Sequence, residues 1–512
     1  MKQLHVLHRI VLAALFTFAV LSTAKSHSAE GIVHGVVKYE KIRDRNPATG
    51  VGGLQINAPE ARPVVGARIE LISEKGGAIA ETRTDEAGNY RLSWNSIETA
   101  AFVRVWAEAD NAVVVDYFDR NAVYSVSSEI WTLSQGEMRK DVVAKDANRA
   151  SGPFNILQAV RLGNRLLRSV EPDIRLPKVI FRWTARAREG TSYFVSAKNE
   201  ICILGDRADD SDEFDDSIVL HEYGHFVLAN LSRDDSHGGS HTSDRLDPRV
   251  AWSEGWGTFF ACAALGESRY VDTGIDRARG TNVRIEYDVS VLRTNGERLG
   301  FANEKTVARI LWGIFAGSQD KKRKGLGFKP IWSILLSKSW ADRPAYRSVL
   351  DFSDAFYESH PTHAADMRAM LKANGIEWDG ASKLTSQYHR PLALGAVVRG
   401  EANSFGRDGR NDFAATVVYR FDLTERTKVK LHLQILASHH KQADLDLYLF
   451  GQDGKRIAYS IADNGVGGSE TIERTLERGT YFVEVQSHTT RGGNAGSFRL
   501  EARIVQDVVH LK

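Results

Sequence analysis

The chain of 512 residues has only two cysteines, Cys202 and Cys262, too few for a disulfide-stapled scaffold. With no CxxC pair, a zinc ribbon or dithiol redox site is also excluded. The two thiols either pair with each other or stay buried and free, and their spacing decides neither. Charge of one sign is lacking too: 67 Lys plus Arg stand against 65 Asp plus Glu. That balance argues against a nucleic-acid partner or an anionic membrane surface. Long hydrophobic runs are missing as well. The most apolar stretch, IVLAALFTFAVL, has 12 residues, short of the roughly 20 that span a bilayer.

That stretch follows the basic segment MKQLHVLHR and precedes the small residues of STAKSHSA, with cleavage expected after Ala24 or Ala29. Residues 1–29 therefore read as a signal peptide, and the mature protein as secreted or periplasmic. The length points to about three further domains. Residues 30–148 alternate apolar and polar positions in ARIELIS and FVRVWAEA, with turns at GG and DEAGNY, as an all-β sandwich does. Residues 149–385 carry few strands and several helices and read as α+β. Residues 386–512 return to alternation, in KVKLHLQIL and TYFVEVQS, as a second all-β sandwich.

The chemistry lies in the middle segment. In DSIVLHEYGHFVL, His221 and His225 are four residues apart, so a helix from about 216 to 231 projects both rings from one face. Unpaired buried imidazoles cost on the order of 1–3 kcal/mol each, and a divalent metal satisfies both. Zinc accepts two imidazoles and leaves positions for a third ligand and a water, which Glu222 on the same helix can reach as general base. Asp215 or Asp216 is placed to cap this helix, and Gly224 within it implies close approach of another helix. The next helix is framed by Asp247 as N-cap, Pro248 at N1 and Gly266 as stop. Within DPRVAWSEGWGTFFACAALG, Glu254 is the one acid among apolar residues, where a carboxylate is costly unless it meets a cation.

HEYGH matches the zincin signature HExxH, and the metzincin continuation is absent because Leu228 and Leu231 stand where that class has glycine and histidine. HEYGH followed by SEGWGTFFA resembles the glutamate zincins, and among them the fungalysin and thermolysin types of secreted metallopeptidase. The resemblance implies a zincin-like α+β catalytic domain with one Zn²⁺ held by His221, His225 and Glu254. It implies that the ion polarises the scissile carbonyl and activates its bound water, with Glu222 as the base that deprotonates that water and protonates the leaving amine. Where those families place an aspartate four residues after the third ligand, this chain has Thr258. An oxyanion donor is expected; Tyr287 is the first choice, with His360 and His363 as alternatives. The stretch PVVGARIELISEKGGAIAETRTDEAGNYRLSW resembles the carboxypeptidase regulatory-like sandwich, and ADLDLYLFGQDGKRIAYS with ETIERTLERGTYFVEVQS resembles the bacterial pre-peptidase C-terminal domain. Both flanking sandwiches thus read as accessories.

The expected substrate is a peptide or protein, bound in extended form along an edge strand in TSYFVSAKNEICILG. Endopeptidase action is the default, because no acid pair for a free amine can be assigned. Rival readings are another zinc hydrolase, or an inactive extracellular or cell-surface binding module. The acidic run DRADDSDEFDD is also a candidate Ca²⁺ ligand set, although it lacks the EF-hand pattern and reads first as a solvated loop. His237 and His241 read first as part of a mobile loop, with lining the cleft or binding a second metal as the alternatives, and His439 and His440 read as an exposed turn. Sequence fixes neither specificity nor oligomeric state.

Overall fold

The computed structural model describes residues 29–505 apart from 45–52, 189, 277–278, 280, 293–295, 381, 404–407, 439–443, 463–464 and 488–494. The expected signal peptide, but for Ala29, and His439 and His440 lie outside the described residues.

Strand Ala29–Lys41 is the hub of a five-stranded sheet, pairing with Glu60–Pro63, Asn89–Ser96, Gly136–Arg139 and Val142–Ala144. Alternation in Ala100–Ala109, where every second residue is buried, turns one face of a second sheet toward the first. Val33, Leu92, Ile69 and Val103 from the two sheets share one core. That second sheet does not stop at the boundary read at 148/149. Ala112–Asp116 pairs in parallel with Val179–Trp183, which pairs in parallel with Glu200–Ile203. The sheet has nine strands among the described residues and ends on the edge strand Tyr193–Val195. Strands of the first β segment and of the helical segment are thus one hydrogen-bonded layer. The crossover between them is long because parallel neighbours cannot be joined by a tight turn.

Helix α1 (Ser151–Arg168) supplies that crossover. Helix α2 (Asp216–Leu231) and helix α3 (Pro248–Leu265) follow, then α4 (Glu304–Ala316). The start of α3 is as read: Asp247 accepts the Arg249 amide, Pro248 opens the helix and Gly266 closes it at φ 73°. The start of α2 differs. Asp215 stands at the N-cap, but its carboxylate turns away to accept the Thr273 amide and hydroxyl, both at 2.8 Å, because strand Arg269–Asp276 passes beside it.

Glycine sets how close these helices come. A Cβ on Gly224 of α2 would lie 3.2 Å from Gly257 Cα of α3, and Trp256 Nε1 donates to the Gly224 carbonyl at 2.9 Å. On the far side of α3, a Cβ on Gly255 would fall 2.4 Å from Val307 Cβ and 2.5 Å from the Glu304 carbonyl oxygen of α4. Neither neighbour is the free end of a side chain, so α4 must shift. Gly255→Ala is expected to lower stability by about 1–3 kcal/mol, read as a reduced unfolding midpoint.

The last segment forms a five-stranded and a four-stranded sheet around its own core of Leu431, Leu447, Val483 and Phe498. It is the all-β sandwich expected, yet Val418 and Phe482 leave that core to pack with the helices, Phe482 lying 4.4 Å from the Tyr346 ring. No helix among the described residues is long and apolar enough to cross a membrane. Cys202 and Cys262 are both buried and free.

Candidate metal centre

The four-residue spacing on α2 and the short α2 to α3 distance bring three side chains to one point. His221 Nε2 is 3.0 Å from His225 Nε2 and 3.1 Å from Glu254 Oε2, which is 3.2 Å from His225 Nε2. Gly257 permits this, since a Cβ there would sit 3.0 Å from the His221 ring. Glu254 is only 7% exposed. Burial works to raise its pKa, yet the two imidazoles hold it well below the usual carboxylate range.

The opposite ring nitrogens are tethered. His225 Nδ1 lies 3.1 Å from Ser253 Oγ, and that hydroxyl donates to Asp234 Oδ2 at 2.7 Å. With its proton committed to Asp234, the serine oxygen can only accept, so His225 carries its hydrogen on Nδ1 and turns the Nε2 lone pair to the cluster. His221 Nδ1 lies 3.3 Å from Thr258 Oγ1, which is 2.9 Å from the Tyr287 hydroxyl. Thr258 thus stands beside the His221 ring, at the position where the resembled families carry an aspartate. Tyr287, first choice for the oxyanion donor, has its hydroxyl bonded to Thr258, which lies beside His221 Nδ1. His360 stacks on Phe356 at 4.8 Å and His363 lies 3.9 Å from Asp366; neither contacts the cluster.

Glu222 is buried on α2 between the two histidines. Burial pushes its carboxyl up to about 7, against the opposing charge of His225 and His241 and an amide hydrogen bond from Phe194. Phe194 belongs to the edge strand Tyr193–Val195, so the open rim of the nine-stranded sheet lies against the acid.

His241 is the residue that sequence undervalued. Its Nδ1 lies 3.0 Å from Glu304 Oε2 of α4 and its Nε2 3.7 Å from Glu254 Oε2, with 42% of the side chain exposed. The loop that carries it, read as mobile, is tied down from the C-terminal segment. Asp408 accepts from Ser240 Oγ, the Thr242 amide and hydroxyl and the Ser243 amide at 2.6–3.0 Å. Asn411 donates to the Gly238 and Ser240 carbonyls and lies 2.7 Å from His237 Nε2. Polar loop composition alone carries no trace of these partners, which lie more than 160 residues away.

Comparison with known proteins gives two family matches. The Mycolysin C-terminal domain matches residues 167–363, which include α2 and α3, and the bacterial pre-peptidase C-terminal domain matches residues 415–487. No curated protein matches the chain. Among solved structures, the pre-peptidase C-terminal domain of collagenase from Bacillus anthracis is 16% identical, covering 22% of this chain and 92% of that one, with a TM-score of 0.17. The Yersinia pseudotuberculosis-derived mitogen is 14% identical over 22% of this chain and 90% of that one, with a TM-score of 0.16. The two family matches give this chain the architecture of a secreted bacterial metallopeptidase-like protein.

Proposed function

We propose that the chain is an exported zinc metallopeptidase that cleaves peptide bonds within extended protein segments. The observation that carries this reading is the convergence of His221, His225 and Glu254 within 3.2 Å of one another, with Glu222 between the two histidines on the same helix. The donor set fits the ion. Two imidazole nitrogens and one carboxylate oxygen are ligand types zinc takes in catalytic sites, and three protein ligands leave a fourth position open. The hydroxyls behind both rings supply the outer support that such ligands need. When bound there, zinc supplies a Lewis acid and lowers the pKa of water.

The chain's own residues do the rest. Glu222, held near neutrality by burial, takes the proton from the attacking water and returns it to the departing amine. The edge strand Tyr193–Val195 offers main-chain hydrogen bonds that align the substrate past Glu222. His241, oriented by Glu304, presents Nε2 on the exposed side of Glu254, where it can donate to the carbonyl oxygen as charge builds on it.

The outer support makes a separate prediction. Asp234→Ala frees the Ser253 hydroxyl and releases the His225 tautomer, so zinc affinity is expected to fall by about 10–100-fold in a chelator competition titration. The function itself is tested by metal analysis of the purified mature protein together with digestion of an unbiased peptide library, with and without a chelator. One zinc per chain and chelator-sensitive cleavage are expected. Cleavage that survives complete removal of metal overturns the reading, and zinc without cleavage favours the inactive binding module instead.

A further inference from the structure

Residues 233–245 run from the end of α2 toward the start of α3 and bring His241 to the metal centre, yet they have no hydrogen-bonded frame of their own. Among the described residues, no backbone amide from 233 to 245 donates to a backbone carbonyl. Gly238 and Gly239 stand at φ 61° and 103°, so the chain turns there without being held in one conformation. Left to itself such a loop samples many arrangements, and a side chain carried on it meets Glu254 only part of the time.

What fixes the loop comes from residues 408–415, which lead into strand Thr416–Leu423 of the C-terminal sandwich. The Asp408 carboxylate takes both neighbours of His241: Oδ1 accepts from the Ser240 hydroxyl and from the amide and hydroxyl of Thr242, and Oδ2 from the Ser243 amide. Burial works to raise its pKa, but these donors bring it below the usual carboxylate value, so the acceptor is charged at neutral pH. Charge-assisted bonds of this kind are roughly twice as strong as neutral ones. Asn411 is buried and holds the Gly238 and Ser240 carbonyls, and a Cβ on Gly239 would lie 3.1 Å from its Nδ2. This strap is itself fastened to the loop's far end. The Asn411 carbonyl accepts the Asp247 amide at 2.7 Å, and the Phe413 amide donates to the Arg245 carbonyl at 3.0 Å. The Phe413 ring packs against Phe301 at 5.6 Å and under the Arg245 guanidinium at 4.9 Å.

We propose that Asp408 and Asn411 are positioning residues for peptide cleavage: they hold the backbone around His241 so that its imidazole stays between Glu304 and Glu254, which makes the C-terminal sandwich an obligatory part of the working site. Glu304 orients the ring, through Nδ1 at 3.0 Å, whereas Asp408 sets where the backbone that carries the ring stands. Both residues act through the loop, since the side-chain partners of Asp408 and Asn411 lie within residues 237–243. The inference rests on the peptidase reading for its effect on rate, and on the geometry alone for the placing of His241.

The test is a double-mutant cycle in the full mature chain loaded with zinc, assayed on one cleaved peptide at a temperature below every variant's unfolding midpoint. His241→Ala is expected to lower kcat by about 10²-fold, the scale of losing one donor to the developing oxyanion. Asp408→Ala is expected to lower kcat by about 10-fold or more with KM changed by less than about 3-fold, because the ring is misplaced while the edge strand that aligns the substrate is untouched. The double variant should be no slower than His241→Ala alone, since Asp408 then has nothing left to position. Asp408→Asn, whose amide oxygen can still take the three donors that meet Oδ1, should recover most of kcat. If Asp408→Ala does not fold, Asn411→Ala takes its place in the same cycle. Losses that multiply in the double variant, or a wild-type kcat in Asp408→Ala, would overturn the proposal. A crystal structure of Asp408→Ala keeps this inference separate from the peptidase reading. If the wild-type chain cleaves nothing, that reading fails, yet His241 displaced from Glu304 in the variant supports the placing role, and His241 found in place overturns it.

Discussion

Glu222→Gln is expected to retain one zinc ion and the wild-type unfolding midpoint while lowering kcat on a peptide substrate by about 10²–10⁴-fold. The amide has the shape of the acid and can still accept the Phe194 amide hydrogen bond, so the packing of α2 against the edge strand is kept. It cannot take a proton from water. The carboxylate is also buried at a position where its charge is disfavoured, so a neutral replacement relieves desolvation rather than adding to it. Metal analysis, a melting curve and single-turnover cleavage on the same preparation separate the outcomes. Loss of zinc would make Glu222 part of the ligand set, and unchanged cleavage would remove it from the chemistry. Glu254→Ala provides the contrast, since it withdraws the carboxylate that bridges both imidazoles at 3.1 and 3.2 Å and should lose the ion itself.

The parts of this centre that sequence discloses are those fixed by helix geometry. Two histidines four residues apart must share a face, and a lone acid on the apolar helix opened by Asp247 and Pro248 must find a cation, so the trio was legible before any coordinates. Gly224 was legible for the same reason, as a gap in a helix that only a neighbour could fill. What escaped depends on contacts between distant segments. Nothing in a window around Ser253 announces that its hydroxyl bridges His225 to Asp234, and nothing near His241 announces Glu304 or Asp408. The hydrogen bond of Tyr287 to Thr258 escaped for the same reason, since it depends on the pairing of Tyr287 opposite Tyr270. The parallel pairing of Ala112–Asp116 with Val179–Trp183 is silent for a related reason. Parallel neighbours share no turn, so a boundary drawn where strands give way to a helix cuts through a continuous sheet.

The C-terminal sandwich reads in sequence as an accessory, but its charge pairing makes it part of the frame that holds α3. Arg249, in the first turn of the helix that carries Glu254, donates to both oxygens of Asp247 and, at 2.6 Å, to Glu484 of strand Gly479–Ser487. Glu484 is fully buried and Arg249 nearly so, its guanidinium lying 4.6 Å over the Tyr346 ring. Burial opposes the charge on Asp247, yet Arg249 brings its pKa down to about 2. Removing one member of such a buried group leaves the others charged and without water, so Glu484→Ala is expected to cost about 3–5 kcal/mol, measured as a loss of unfolding free energy in urea. Arg249→Met should cost more, because it strands two carboxylates, Asp247 and Glu484, and pairing it with Glu484→Leu should recover only part of the loss, since Asp247 keeps the backbone amide of residue 249 and the Tyr388 hydroxyl but no cation. Deleting residues 386–512 removes Glu484 together with Asp408 and Asn411, and with them the ties on the His241 loop. A truncated chain that unfolds at the same urea concentration as the full one would show that the sandwich is an appendage after all.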